Sequence, residues 1–429
     1  MGDTGIAVCV GGSGARSNLP GFAHCVGRPG ADGLLALYTL RAAWSVGCGR
    51  RALAVCKDES GRSTGATPAS RAPHPGAIGD TGVGICTMIE LDGSHGEGGG
   101  QMLRTALVLS LLTGQPFRIE NIRRGRPQPG LKPQHAHILK GLLMMSDSSV
   151  DTMEPGALAV TFQPGQLRGG AFQLDVGTAG AIPLLLQTVL PAALFAPAPV
   201  TFTITGGTDV RGAMSMDFWR LVLLPFLQPY AGTIELTVER RGFYPKGGGR
   251  VLLRTAPVMD QTTWATRGST APALTIPARG EFRQLQIASY ASRELRERQV
   301  ASRQASACQN RLGLRPAAVD MAHVETFSPG SVITAVAEYE QTRLGADALG
   351  ERGKPSERVG RDAADKLKQE MEAGATVDIH TADNLMIWVA LFGGGYTFAE
   401  PTGHITTNAW VIEHFLPGAL RLAGNAVAG

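Results

Sequence analysis

From residue 88 onward the apolar positions follow a repeating order: a glycine-bearing or polar turn, a helix-length apolar stretch, then a short strand. The first copy takes residues 96–100, 101–113 and 116–122; the second takes 177–180, 181–195 and 200–205; the third takes 381–384, 385–392 and 396–400. Leu103, Leu107 and Leu111 recur at helical spacing, whereas 116–122 alternates as a half-buried strand does. Three such units predict an α/β (α+β) repeat architecture with helices packed on sheets.

Between the second and third units the pattern changes. Residues 257–272, rich in Thr and Ala, read as a connection, and 273–349 as a smaller α/β domain inserted into the larger one. Within the insert an amphipathic, charged helix is expected around 292–310 and a strand over 331–339. The polar stretch 345–357 marks the return, and 358–373 reads as a helix dense in charge with a solvated face. The main body is therefore assigned to 88–272 and 350–429. Residues 1–87 sustain no period and hold 17 of the 56 glycines. Such a composition cannot offset its ordering entropy, so they read as a disordered leader or an over-extended start.

Composition narrows the class. The chain has 429 residues, 43% hydrophobic and 18% charged, enough for more than one domain and too apolar for a disordered protein. The longest apolar stretch, 181–200, carries Gln187 and four prolines, so no membrane span is expected. No targeting pattern opens the chain, so a cytoplasmic location is expected. The formal charge of +4 is nearly balanced and does not by itself argue for nucleic acid. Residues 1–87 carry 8 Lys/Arg against 5 Asp/Glu, or +3, which leaves 32 against 31, or +1, for the rest. Five of the six cysteines precede Met88, with no zinc-like spacing.

Four motifs could carry chemistry. In Leu91-Asp-Gly-Ser-His-Gly-Glu-Gly-Gly-Gly-Gln-Met-Leu-Arg104, a strand passes through a glycine loop into a helix, whose first N–H groups can face an anion. Glu97 would repel a phosphate directly, but suits a divalent metal that grips one; the bland alternative is a structural turn. Residues 122–135 place Arg123, Arg124, Arg126 and Lys132 within ten residues, with two proline breaks, a basic loop fit for bidentate phosphate contacts or simply a solvated one. Arg241-Gly-Phe-Tyr-Pro-Lys-Gly-Gly-Gly-Arg-Val251 joins strands at 233–239 and 251–254 and reads as a sharp turn with glycines at positive φ. Near the end, His404 follows Gly403 at a turn into a helix, placed as a nucleophile or general base, with Thr406 or Thr407 available as the helix cap.

Together these motifs resemble the RNA 3′-terminal phosphate cyclases over nearly all of 88–417. The resemblance implies three βαβαββ-type units with a smaller domain inserted in the last part. It implies ATP as substrate with Mg2+ or Mn2+, and an RNA bearing a 3′-phosphate as partner. In such chemistry a histidine takes AMP from ATP, AMP passes to the RNA phosphate, and the 2′-hydroxyl displaces it to leave a 2′,3′-cyclic phosphate. His404 matches the adenylylated nucleophile and Glu97 the metal-binding glutamate. Arg104, Arg123, Arg126, Gln134 and His135 match phosphate- and RNA-end contacts. Gln187 and the run His380, Thr381, Ala382, Asp383 and Asn384 match the ATP-binding segments. His380 stands where many members carry tyrosine, and Met214 where proline covers the other ring face. Imidazole and thioether can also sandwich a base. A homodimer stays open. So do two alternatives: an inactive relative in ribosomal-RNA processing, which would lack the nucleophilic histidine, and an enolpyruvyl-transferase-like enzyme.

Overall fold

The computed structural model describes residues 88–267 and 271–429, together with two short strands near the start. These strands, β1 (His24–Val26) and β2 (Leu37–Thr39), pair antiparallel. Otherwise the expectation of a disordered leader over 1–87 lies outside the described residues.

The remainder is a mixed α/β fold. Its first sheet follows β3 (Ile89–Asp92), α1 (Gly100–Thr113), β4 (Phe117–Glu120), α2 (Pro133–Met144), β5 (Ser149–Val150) and β6 (Val160–Gln163). The second follows β7 (Gly170–Asp175), α3 (Ile182–Leu194) and β8 (Val200–Gly206). Next come α4 (Met216–Phe218) and α5 (Leu224–Leu227), bridged by a π-helical turn, then β9 (Ala231–Arg240) and β10 (Gly249–Pro257). After α6 (Gln261–Arg267) and β11 (Leu274–Thr275) the insertion begins with β12 (Phe282–Ser292) and α7 (Val300–Leu312). It continues through β13 (Ala318–Val324), β14 (Ser331–Tyr339), β15 (Arg343–Leu349) and α8 (Ser356–Glu372). The chain then runs through α9 (Ile379–Phe392), β16 (Gly394–Thr397), α10 (Gly403–Phe415), β17 (Arg421–Ala423) and β18 (Ala426–Ala428).

Three sheets share one pairing order: β3-β4-β6-β5, β7-β8-β10-β9 and β11-β16-β18-β17. In each, the first pair is parallel and the other two are antiparallel. A parallel pair needs a long crossover, which α1 and α3 provide in the first two sheets. Leu107, Val189, Leu385 and Ile405, from α1, α3, α9 and α10, are all buried in one continuous core. No helix among the described residues is long and apolar enough to cross a membrane.

The insertion differs from the expected 273–349. β11 pairs with β16 and so belongs to the third sheet, while α8 packs on α7 and on the sheet β13-β12-β14-β15. Nor is α8 a wholly solvated helix: Val359, Ala363, Ala364 and Leu367 are buried with Leu285, Ile333 and Leu344. Its charges occupy the other face, and they masked that apolar stripe. The charged helix of the insert starts at Val300 because β12 runs on to Ser292, and part of the expected connection 257–272 is the helix α6.

A buried ionic cluster fastens the insertion to the second sheet. Arg241, at the end of β9, donates from Nη1 to Asp209 (3.1 Å) and from Nη2 to Asp217 (2.6 Å). Its guanidinium lies 3.6 Å from the ring centroid of Tyr290 on β12. Burial pushes the Asp217 carboxyl upward, and Arg241 opposes that shift. The insertion also reaches α9: Gly345 N–H donates to the buried Asp378 carboxylate (3.0 Å), which caps α9 at His380 N–H and Thr381 N–H.

Arg241→Met leaves the buried Asp209 carboxylate without its cation and Asp217 with Arg220 alone (3.3 Å). The expected loss is about 3–5 kcal/mol of unfolding free energy, read as a lower urea midpoint; an unchanged midpoint would contradict this account.

Candidate functional site

The loop between β3 and α1 is shaped by Asp92. Its Oδ1 accepts from Ser94 N–H (3.0 Å), Ser94 Oγ (2.8 Å) and Asn121 Nδ2 (3.2 Å). The Ser94 hydrogen bonds hold this carboxyl below the ordinary aspartate range. Gly96 (φ 57°) and Gly98 (φ 55°) then turn the chain so that Glu97 meets the start of α10. There Gly403 is required by contact: a Cβ would lie 2.4 Å from Glu97 Oε1. His404, the second residue of α10, carries Nε2 3.5 Å from Glu97 Oε2, with the side chains 47% and 35% exposed. Both groups can therefore be reached from solvent. Arg126 completes the group, with Nη2 3.4 Å from Glu97 Oε2 and Nε donating to Glu97 O (3.1 Å). The cap of α10 is Thr402, whose hydroxyl accepts from Ile405 N–H (3.2 Å). This corrects the expected Thr406 or Thr407 cap, since the helix begins four or five residues earlier than they would require.

Beneath these groups lies a polar layer between helices. Asp383 Oδ2 accepts from Gln101 Nε2 (3.1 Å), and Asp383 O from Asn408 Nδ2 (3.1 Å). Thr105 donates to Asn408 Oδ1 (2.8 Å), and Gln187 Nε2 to Asn384 Oδ1 (2.9 Å). The Met214 sulfur is 4.0 Å from Asn384 Nδ2, and the exposed His380 ring stands edge-on to Phe218. Burial raises the Asp383 carboxyl above the usual range, opposed by His404, His380, Gln101 and Arg104. Burial also lowers Arg104 to about 10. Gln101, Thr105 and Asn408 had no reading from sequence. Two of them stand four apart on α1, a spacing that reads equally well as solvated polar positions.

Three buried donors here lack a protein partner among the described residues: Arg104 Nε, Arg123 Nε and His135 Nε2. His135 accepts Lys132 N–H at Nδ1 (3.0 Å), so the neutral ring carries its proton on Nε2. That nitrogen is directed at the start of α1, where a Cβ on Gly100 would lie 2.2 Å from it. Burial, with the charges of Arg104, Arg123 and Lys132, depresses His135 to about 3. Arg123 holds an uncommon left-handed backbone (φ 56°). Buried donors aimed at a helix N-terminus suit a multivalent anion.

Of the expected residues, Glu97, Arg126 and His404 form one group, and Arg104, Gln187, Asp383 and Asn384 line the adjoining cleft. Gln134 stands partly exposed at the second position of α2, which begins at Pro133, so 122–135 is not loop throughout. Thr381 and Ala382 turn inward. The Thr381 hydroxyl donates to Asp378 (2.9 Å), and Ala382 is fully buried. Among the described residues no group of three or more His, Cys, Asp and Glu side chains could hold a metal ion alone. Glu97 can supply one carboxylate, the mode by which Mg2+ sits between a protein, substrate phosphates and water.

The sequence model of the family described as RNA 3′-terminal phosphate cyclase matches residues 95–422. A protein of that name from Methanopyrus kandleri is 40% identical, over 79% of this chain and 96% of its own length. One from Pyrococcus furiosus is 40% identical over 79% and 96%. One from Caldivirga maquilingensis is 42% identical over 77% and 93%.

A pH dependence of stability follows from His135. Its folded value lies below the unfolded one, so between about pH 6.5 and pH 3 the unfolded chain binds the extra proton. Stability is full above that window and falls by about 1.4 kcal/mol per pH unit within it. Urea titrations from pH 7 to 4 should therefore be less steep in pH for His135→Gln; equal slopes would contradict the assignment.

Proposed function

The chain belongs to the RNA 3′-terminal phosphate cyclase family, and from that membership we propose that it converts an RNA 3′-terminal phosphate into a 2′,3′-cyclic phosphate at the expense of ATP. The observation that carries this reading is the placement of His404: exposed at the first turn of α10, 3.5 Å from Glu97, beside the orphaned donors of Arg104, Arg123 and His135. That combination supplies a nucleophile and anion-binding groups in one place.

In the proposed sequence His404 Nε2 attacks the α-phosphorus of ATP. The N–P bond forms, the bond from the α-phosphorus to the bridging oxygen breaks, and pyrophosphate leaves. An oxygen of the RNA 3′-phosphate then attacks the same phosphorus, breaking the N–P bond and freeing the imidazole. Finally the 2′-hydroxyl oxygen attacks the RNA phosphorus, its proton passes to solvent, and AMP departs. Each step replaces one hard condensation by displacement of a good leaving group.

His404 must present Nε2 unprotonated, and the adjacent Glu97 carboxylate is positioned to balance charge on the ring once it is phosphorylated. Mg2+ or Mn2+ bound with ATP would be held by Glu97 and would neutralise phosphate charge. Gln187, Asn384, Met214 and His380 form the corner suited to the nucleotide base. The RNA end is assigned to Arg104, Arg123, Arg126, Gln134 and His135. These contacts reach phosphate and ribose, so they carry little base information. An ATP-consuming reaction on RNA fits residence in the cytoplasm. The presence of both His404 and Glu97 argues against an inactive relative.

Incubation with α-labelled ATP and Mg2+ tests the first step. Protein-bound AMP is expected for the parent, and a loss of at least about 100-fold for His404→Ala; an unlabelled parent would reject the reading. Glu97→Ala should label poorly at ordinary Mg2+, and undiminished labelling would remove its metal role. A DNA 3′-phosphate lacks the 2′-hydroxyl, so it should accumulate as the adenylate without cyclising.

A further inference from the structure

We propose that the stacked rings of His95 and Trp410 are a binding platform for the nucleobase at the 3′ end of the RNA, an assignment that rests on the cyclase reading. The two rings lie 4.2 Å apart with planes 14° from parallel, and they join the glycine loop to the side of α10. His95 is exposed, so the indole covers one face of the imidazole and leaves the outer face to solvent. Trp410 is steadied in turn by His414, whose ring centroid is 4.3 Å away and whose Nδ1 lies 2.8 Å from Trp410 O. The loop backbone is fixed on both sides of the ring. His95 N–H donates to Asp92 O (3.0 Å), and His95 O accepts from Gly98 N–H (3.0 Å). An imidazole held flat and open to solvent has lost its rotamer freedom before any ligand arrives, which favours stacking.

Position and charge select the occupant. His95 is two residues from Glu97, so their Cα atoms are at most about 7 Å apart, and the Glu97 carboxylate lies beside His404. A nucleotide whose 3′-phosphate reaches His404 therefore has its own base within reach of His95. Two arginines of the basic loop are tied to the loop that carries His95. Arg124 donates to Asn121 Oδ1 (3.2 Å), and Asn121 in turn to Asp92, which also accepts from Ser94. Arg126 lies against Glu97. An exposed aromatic ring on a loop linked to arginines suits single-stranded nucleic acid, where bases stack without sequence readout. The adenine of ATP is provided for elsewhere, at Gln187 and Asn384.

The test uses two fluorescein-labelled oligoribonucleotides with a 3′-phosphate, identical except that one has an abasic terminal nucleotide. Anisotropy titrations should show His95→Ala weakening the base-bearing oligonucleotide by roughly 5- to 100-fold. The abasic one should bind the parent and His95→Ala alike, and His95→Phe should restore most of the lost affinity. Equal affinity of the parent and His95→Ala for the base-bearing oligonucleotide, or an equal loss on both, overturns the platform. A parent that forms no protein-bound AMP overturns the cyclase reading instead. A parent that cyclises RNA without any dependence on His95 overturns this proposal alone.

Discussion

The site depends on one partly buried carboxylate. Asp383 receives Gln101 from α1 and, through its carbonyl, Asn408 from α10; its neighbour Asn384 receives Gln187 from α3. Four helices of three sheet-bearing units are thus joined by polar contacts at one level, directly above the apolar core of Leu107, Val189, Leu385 and Ile405. Apolar packing alone would tolerate a sliding of these helices past one another. Directional hydrogen bonds do not, because a displaced donor or acceptor would be left unpaired. The geometry of Glu97 and His404 follows, since each sits within a turn of a helix held in this way.

Electrostatics at the site are local. The chain beyond residue 87 is almost neutral, so attraction of a polyanion cannot come from overall charge. In the proposed reading it comes from Arg104, Arg123 and Arg126, two of which carry buried donors that no protein group among the described residues satisfies. Leaving such donors unpaired costs stability. The depressed basicity of His135 belongs to the same arrangement: its imidazole stays neutral so that it can sit among cations and still present an N–H.

Much of the fold was legible because helix and strand periods differ. The strand over 331–339 coincides with β14, and 181–195 and 200–205 lie within a residue of α3 and β8. The helix α8 misled because its buried stripe has few large apolar residues, Val359 and Leu367 beside Gly360, Ala363 and Ala364, which a charge-dense sequence hides. Within the site, Glu97, Arg126 and His404 stood out as charged or nucleophilic groups set among glycines. Gln101, Thr105 and Asn408 did not, since an uncharged polar side chain on a helix is ordinary until its partner, some 300 residues away, is known. The same holds for Arg241: the segment reads as a turn, and it does turn, with Gly247 and Gly248 at positive φ. Its guanidinium acts on Asp209 and Asp217, and nothing in the local pattern announces that.

The bond from Gly345 to Asp378 bears on how this architecture tolerates deletion. One carboxylate serves two masters: it caps α9, and it receives an amide from the insertion. Excising residues 282–372 would rejoin chain ends that flank the third unit and would also strip a donor from a buried anion at the root of α9. His380, Asp383 and Asn384, residues of the proposed nucleotide site, all ride on that helix. A shortened relative would therefore need either a substitute donor for Asp378 or an uncharged cap in its place. The insertion is in this sense part of the foundation of the cleft lined by Arg104, Gln187, Asp383 and Asn384.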